Sequence, residues 1–396
     1  MSRFRLQPTP AQEAVLLEHC AHARFVWNLA VEQQSWWTPR REPAPGYIAQ
    51  ARQLTEARAE FAWLRAGSQM VQQQALRDFA QAMTNFFTGT HKRPSWRKAG
   101  RNEGFRVVAV KVSDVRRLSR RTGEAKVAKV GWVRFRWSRP VPDDVKSYRI
   151  TRDRAGRWHI AFAAVPKSIP APETGRTVGV DRGIVVSAAL STGELLKAPG
   201  LTDYEAGRLR RLERMLARAK RGSRRRTAVK TKIARLKARE ADRRKDWIER
   251  TSTDLARGFD VIGVEDLNIP AMTRSAKGTL DVPGQNVAVK AGLNRGILAS
   301  GWGLLVARLE QKAPGRLIKI NPAYTSQRCS ACGTADGKAR ESQAAFRCRA
   351  CGYSSHADVN AARNLEQAAG RAVTAREGPR VAGPVHREPQ LATSVA

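Results

Sequence analysis

Four of the five cysteines are spaced for metal rather than for disulfides. Cys329-Ser330-Ala331-Cys332 and Cys348-Arg349-Ala350-Cys351 form two tight pairs with fifteen residues between them. Two such knuckles offer four thiolates at about 2.3 Å from a tetrahedral Zn²⁺. Gly333 and Gly352 follow the pairs, where each turn must tighten. Four sulfurs close the coordination shell to water and substrate, so the expected single zinc is structural. A ribbon of this kind specifies no function alone, since many bind nucleic acid and many merely hold a loop. Cys20 stands apart on an apolar helical face and is expected in a core.

The second set is three acids in different settings. Asp181 ends the apolar run Thr177-Val178-Gly179-Val180, Glu265 ends Phe259 to Val264, and Asp358 opens the helical stretch Asp358 to Leu365. Singly, an acid at the end of a buried strand is an ordinary turn residue or helix cap. Jointly, an acid on a first strand, another on the adjacent parallel strand and a third on the closing helix make the layout of a ribonuclease-H-like site. Carboxylates suit such a site because Mg²⁺ is a hard cation that takes oxygen ligands. Clustering them raises a mutual repulsion that cations relieve.

The elements that must position these groups can be read along the chain. A short strand, Phe4 to Leu6, precedes a helix that starts with Thr9 as N-cap, Pro10 in the first turn and Gln12 as capping-box partner. Leu16, Cys20, Ala23, Trp27 and Ala30 recur along one face of it, and Val71, Ala75, Phe79, Met83 and Phe86 along a second helix from Ser68. From about 104 to 165 the period becomes two, in Phe105–Val108, Trp132–Trp137 and Trp158–Phe162, with Arg154-Ala155-Gly156 as a hairpin turn. This predicts a small antiparallel barrel or sheet that the first strand joins across the helices. Eight of the ten tryptophans lie before residue 160, each open to two readings, packed core or base stacking. After a Pro-rich linker at 166–172 come strands at 177–181, 184–190 and beyond Gly193-Glu194, then helical arms over 208–250, a strand at 259–264, a helix at 296–311 and a strand at 317–320. The Gly- and Ser-containing stretch 270–292 follows Glu265 directly and is expected to be a loop lidding the carboxylates. No periodicity marks 370–396, which is expected to be a disordered tail.

The charge balance narrows the partners. Lys and Arg number 72 against 35 Asp and Glu across 396 residues, and a surplus of 37 repels itself unless a polyanion shares the surface. The arms alone carry nineteen basic and five acidic residues between 208 and 250, which points to phosphates. The 42% hydrophobic content supports real cores, so the chain is not a basic disordered tail. No 18-residue apolar run exists and the first residues lack an apolar signal, so the expected setting is cytoplasmic and reducing, with no membrane partner.

Gly179-Val180-Asp181-Arg182-Gly183, Val264-Glu265-Asp266-Leu267-Asn268, Asn321-Pro322-Ala323-Tyr324-Thr325-Ser326-Gln327 and Asp358-Val359-Asn360-Ala361-Ala362-Arg363-Asn364 resemble the signature blocks of TnpB proteins, transposon-encoded RNA-guided nucleases related to miniature type V CRISPR effectors. The opening Arg5-Leu6-Gln7-Pro8-Thr9-Pro10-Ala11-Gln12 and Ala23-Arg24-Phe25-Val26-Trp27-Asn28 match as well, so the resemblance spans nearly the whole chain. It implies a multidomain α+β and α/β architecture: a wedge β-barrel domain (1–9 and 95–170), a helical recognition domain (10–94), a RuvC-like nuclease domain (171–325 and 355–369) and an inserted zinc ribbon (326–354). It also implies Asp181, Glu265 and Asp358 as ligands of two catalytic Mg²⁺, a guide RNA derived from the transposon end and a double-stranded DNA target; the oligomeric state stays open, with a monomer favoured. Many members carry Asp-Arg before the third acid, where this chain has His356-Ala357. The same motifs fit a miniature type V CRISPR effector, and the fold fits a guided DNA-binding repressor without cleavage or a DNA transposase. The intact acids speak against the repressor, and strand transfer is not implied by these motifs.

Overall fold

The computed structural model describes residues 2–36, 44–165 and 167–377. The chain divides into two compact units, Met1–Pro166 with Leu201–Arg239, and Lys167–Gly200 with Glu240–Ala396. No described helix is long and apolar enough to cross a membrane.

In the first unit β1 (Ser2–Gln7) leads into helices α1 (Pro10–Ser35), α2 (Tyr47–Glu60), α3 (Ala62–Ala66) and α4 (Gln69–Phe87). The expected capping box is formed: Thr9 accepts from the Gln12 N–H, and the Gln12 side chain accepts from the Thr9 N–H. Leu16, Cys20, Ala23, Trp27 and Ala30 are buried along α1, and Val71, Ala75, Phe79 and Met83 along α4. Six strands follow: β2 (Gly104–Val108), β3 (Val115–Arg117), β4 (Thr122–Val127), β5 (Gly131–Arg136), β6 (Ser147–Arg152) and β7 (Trp158–Ala163). With β1 they form one sheet of order β2-β6-β7-β1-β5-β4-β3 in which every pairing is antiparallel. The turn at 154–156 joins β7 to β6, a strand absent from the runs expected, and Gly156 supplies the positive φ of 78°.

The sheet is rolled but not closed by pairing, since β2 and β3 each have a neighbour on one side only among the described residues. Rolling is visible in Tyr148 of β6, whose hydroxyl donates to the Lys126 carbonyl of β4 at 2.9 Å across three intervening strands. Phe4, Phe135 and Phe162 meet edge-to-face at 5.3–5.9 Å inside the roll, the geometry that ring quadrupoles favour. The tryptophans split: Trp27 and Trp158 are core, whereas Trp36, Trp63 and Trp96 are exposed.

Helices α5 (Asp203–Arg218) and α6 (Arg224–Gly258) are parted at a turn containing Gly222, φ 83°. Leu212, Val229 and Leu236 zip the arms together, with the cationic side chains on the remaining faces. The segment Leu201–Arg239 falls within the first unit, whereas the sequence placed it inside 171–325.

The second unit is built on β8 (Thr177–Asp181), β9 (Ala188–Leu190), β10 (Leu195–Leu196), β11 (Val261–Glu265) and β12 (Leu317–Ile320), in the order β10-β9-β8-β11-β12. β8 is antiparallel to β9 and parallel to β11, which is parallel to β12. Buried Val178, Val180, Ile262 and Val264 need no alternation, because the central strands are covered on both faces. The remaining elements are α7 (Ile269–Met272), α8 (Val287–Ser300), α9 (Trp302–Lys312), β13 (Ala345–Arg347), β14 (Ser354–His356) and α10 (Ala357–Glu377). Four expectations are corrected. The strand expected at 184–190 forms only at Ala188–Leu190, and the helix expected over 296–311 is two helices parted at Gly301, whose φ of 77° ends one and starts the other. The loop expected over 270–292 contains α7 and the first turns of α8, and Asn294 fastens it by donating to the Thr273 and Arg274 carbonyls at 3.0 and 3.2 Å. The tail expected from 370 is helical to Glu377, and 378–396 lie outside the described residues.

Candidate active site

Parallel pairing sets Val180 opposite Val264, so Asp181 and Glu265, each one residue further on, stand side by side at the carboxyl ends of β8 and β11. Asp358 enters from the first turn of α10. That helix can reach the sheet because glycine faces it. A Cβ on Gly179 would lie 1.8 Å from the Ala362 carbonyl oxygen, and one on Gly263 would lie 2.7 Å from that of Leu365. The Gly179 of the first block and the Ala362 backbone of the last are therefore two halves of one close contact, which brings the third acid to the other two.

The three carboxylates act on one another. Burial, then the charges of Glu265 and Asp358, push the Asp181 carboxyl up to about 7, against the weaker pull of Arg340 and a backbone N–H from Arg182. Glu265 is fixed by Thr325, whose hydroxyl donates to Oε1 at 2.8 Å. Its main-chain carbonyl accepts from the buried Arg182 guanidinium. Asp358, 8% exposed, accepts from Arg340 at 3.0 Å. Its backbone N–H donates to His356 Nδ1 at 3.2 Å, so the histidine that departs from the common pattern caps the start of α10. Sequence reasoning missed Thr325, Arg340 and Arg182 as parts of this site. Thr325 and Arg182 lay inside blocks already singled out, whereas nothing local marked Arg340.

The cysteines converge as expected. Their four sulfurs lie within 4.8 Å of one another, the one such group of three or more candidate ligands among the described residues. Cys329 and Cys351 are 3.7 Å apart at sulfur, and Cys332 and Cys348 3.6 Å. A tetrahedron with 2.3 Å bonds has edges of about 3.8 Å, and a disulfide needs about 2.05 Å, so the spacing is that of a zinc site. Gly333 and Gly352 adopt φ of 80° and 74° in the knuckle turns. Two asparagines one helical turn apart on α10 grip the base of this ribbon. Asn360 donates to the Arg328 carbonyl at 2.7 Å and accepts from the Ser330 N–H at 2.9 Å, while Asn364 donates to the carbonyls of Thr325 and Arg328 at 2.9 and 2.7 Å. The last block thus carries an acid for the site, the Ala362 backbone for the close contact and asparagines for the ribbon.

The first unit holds a basic cleft of about 410 Å³ between α1, α4 and the sheet. Arg77, Arg97, Arg106 and Arg149 line it around a single acid, Asp78, which accepts from Arg149 at 2.6 Å and faces Arg106 at 3.6 Å. The Arg97 guanidinium lies 3.6 Å from the centroid of the Trp27 ring, and burial lowers its pKa to about 10. A desolvated cation with so little local countercharge favours an anionic ligand.

A five-stranded mixed sheet of this order, with acids ending two adjacent parallel strands and a third on the helix packed across them, is the ribonuclease-H-like arrangement. Residues 159–276 match the IS605 OrfB family model, described as "Probable transposase", and residues 302–365 match the Cas12f1-like TNB domain. Residues 2–42 match a helix-turn-helix domain of the same OrfB family, although the described part of that stretch is one strand and one unbroken helix. A protein of Escherichia coli K12 named "Putative RNA-guided DNA endonuclease InsQ" is 33% identical over 94% of this chain and 92% of its own. A Streptomyces pristinaespiralis protein with the same description is 32% identical over 99% of this chain and 96% of its own. A CRISPR-associated endodeoxyribonuclease Cas12f1 of Sulfoacidibacillus thermotolerans is 58% identical over 55 residues, 14% of this chain and 13% of its own. A solved Cas12f1–sgRNA–target DNA complex aligns at a TM-score of 0.47 and 12% identity over 90% of this chain and 82% of that one. The chain belongs to the IS605 OrfB family, the TnpB proteins, which are related to Cas12f.

Proposed function

We propose that this protein is an RNA-guided DNA endonuclease: a guide RNA pairs with one strand of double-stranded DNA, the protein reads a short flanking motif, and the ribonuclease-H-like site hydrolyses phosphodiester bonds. The observation that carries this reading is the meeting of Asp181, Glu265 and Asp358 at one end of the sheet, where burial first, and then the charges of Glu265 and Asp358, raise the Asp181 carboxyl to about 7. Proteins alike over nearly their whole length carry the same activity in their names. Guide pairing would supply the sequence information, while the arginine cleft and the α5–α6 arms hold phosphates.

The three acids suit a pair of Mg²⁺ ions by their hard oxygen donors and by the burial and neighbouring carboxylate charges that raise Asp181. Divalent ions bound there would lower the pKa of the attacking water and offset charge on the leaving oxygen. Asp181 would be the shared ligand, with Glu265 and Asp358 completing the two shells. Thr325 holds the Glu265 carboxylate in one orientation, and Arg340 keeps a positive charge beside Asp358. The zinc ribbon, gripped by Asn360 and Asn364, supports the backbone from which Thr325 and Arg340 project. The transposon-end origin of the guide is part of this reading, and a miniature type V effector would use the same chemistry.

The test is to purify the protein with its co-purifying RNA, sequence that RNA, and challenge the complex in Mg²⁺ with DNA carrying the matching target and randomised flanks. Cleavage beside one flanking motif is the expected result. The Asp181→Ala variant should bind the same DNA and leave it uncut. Guided binding without cleavage by the unaltered protein would point to the repressor, joined products to a transposase, and full activity in Asp181→Ala would remove the site.

A further inference from the structure

The Asn321–Gln327 block contains a side chain that neither the fold nor the metal site accounts for. Tyr324 sits at φ 63°, a left-handed conformation that glycine and asparagine adopt readily and bulky residues seldom do. The turn itself is held by backbone. The Tyr324 carbonyl accepts from the N–H groups of Gln327 and Arg328, both at 3.0 Å, and Asn321 accepts from the Ala323 N–H at 2.9 Å. The tyrosine side chain takes no part. It is 64% exposed, and among the described residues its ring and hydroxyl have no hydrogen-bonding, aromatic or cationic partner. An aromatic group thus sits where the backbone favours glycine, with no polar, aromatic or cationic partner in return. Strain of that kind gathers at functional sites.

Its position indicates the use. The next residue, Thr325, donates to Glu265 at 2.8 Å, and the Thr325 carbonyl is held by Asn364 of α10 at 2.9 Å. Tyr324 therefore directly precedes a residue pinned both to Glu265 and to α10, and its own side chain is exposed. A guided nuclease must accept any base beside the phosphate it cuts, and a flat aromatic surface does so because every base has a π-face.

We infer that Tyr324 is a substrate-positioning residue: its ring stacks on a nucleobase of the single DNA strand next to the scissile phosphate and so sets that phosphate over Asp181, Glu265 and Asp358. This inference rests on the endonuclease reading above. It makes Tyr324 a contact for DNA bases, not for metal or for guide RNA.

The experiment uses the full chain with its co-purified RNA and compares the unaltered protein with Tyr324→Phe, Tyr324→Ala and Tyr324→Asn in single-turnover cleavage. Each is tested on DNA with an abasic nucleotide at successive positions around the cut. Phe should cut at close to the unaltered rate. Ala and Asn should cut roughly 5- to 150-fold more slowly with DNA affinity unchanged, the rate equivalent of about 1–3 kcal/mol per stacked base. At one position beside the cut, the abasic nucleotide should slow the unaltered protein by a similar factor and slow Tyr324→Ala no further. Asn tolerates the backbone conformation, so that variant should keep its melting temperature and its zinc, which separates lost stacking from lost folding. Cleavage by Tyr324→Ala at the unaltered rate, or an equal abasic penalty in both proteins at every position, overturns the inference alone. Failure of the unaltered protein to cut any guided DNA overturns the endonuclease reading with it.

Discussion

Gly179→Ala is the substitution that most directly tests how the acids are brought together, because it alters no acid, no metal ligand and no charge. The added Cβ would fall 1.8 Å from the Ala362 carbonyl oxygen and 2.6 Å from the Glu366 nitrogen, both backbone atoms that cannot rotate aside. Carbon atoms in that position essentially never approach within 3.0 Å, so α10 must retreat from β8 by at least 3.0 − 1.8 = 1.2 Å. Overpacking typically costs about 1–3 kcal/mol, and a clash with rigid backbone belongs at or above the upper end. For a unit of this size that corresponds to a fall in melting temperature of roughly 6–12 °C. Because Asp358 rides on α10, its carboxylate moves with the helix. A misplacement of about 1 Å at a reacting centre is enough to slow a reaction about 10²-fold. The assay pairs thermal melting with single-turnover cleavage on guided DNA. Gly207→Ala in α5 is the control: its nearest neighbour is a flexible Arg210 nitrogen at 3.8 Å, and it should gain about 0.5–1 kcal/mol with unchanged cleavage. If Gly179→Ala melts and cuts like the unaltered protein, the helix does not sit on that glycine and the account of how Asp358 is positioned fails.

Cys348→Ser removes one of four thiolates at tetrahedral spacing, so the purified variant should lose its zinc and cut more slowly, since the ribbon carries Arg340; one zinc per chain by elemental analysis would contradict this. Burial, then the charge of Arg3, lowers His159 to about 4 from 6.5, so the unfolded chain binds a proton in that window that the folded chain refuses. The first unit is then fully stabilised above pH 6.5 and loses up to about 3 kcal/mol as the pH falls to 4, an effect that His159→Gln should flatten in urea titrations at several pH values. Arg97→Ala, in the basic cleft, should weaken nucleic-acid binding and reduce the slope of log affinity against log salt by about 1; an unchanged slope would show that Arg97 neutralises no phosphate.

Features set by neighbours in the chain are legible from residue order alone. The Thr9–Gln12 capping box, the helical break at Gly222 and the cysteine knuckles with their trailing glycines are each complete within a few residues. The apolar runs that end in Asp181 and Glu265 stand out in the same way, because a strand covered on both faces is apolar throughout. The elements that escape such reading have their cause elsewhere in the fold. Helix α2 buries only Gln50 and Leu54 and so shows almost no apolar stripe. Strand β6 is hidden because its burial does not alternate cleanly, and the helix expected over 296–311 is one continuous pattern that left-handed Gly301 divides.

The sequence alone therefore determined which residues are fit for metal chemistry, that four cysteines are spaced as a structural zinc ribbon requires and that the charge surplus calls for a polyanion, because residue type, short spacing and net charge are local or additive properties. Tertiary structure decided that Thr325 orients Glu265, that Arg340 answers Asp358 and that α10 lies against Gly179. Those relations depend on where distant segments meet once their apolar faces are buried, and no pattern confined to one segment records the distance to another.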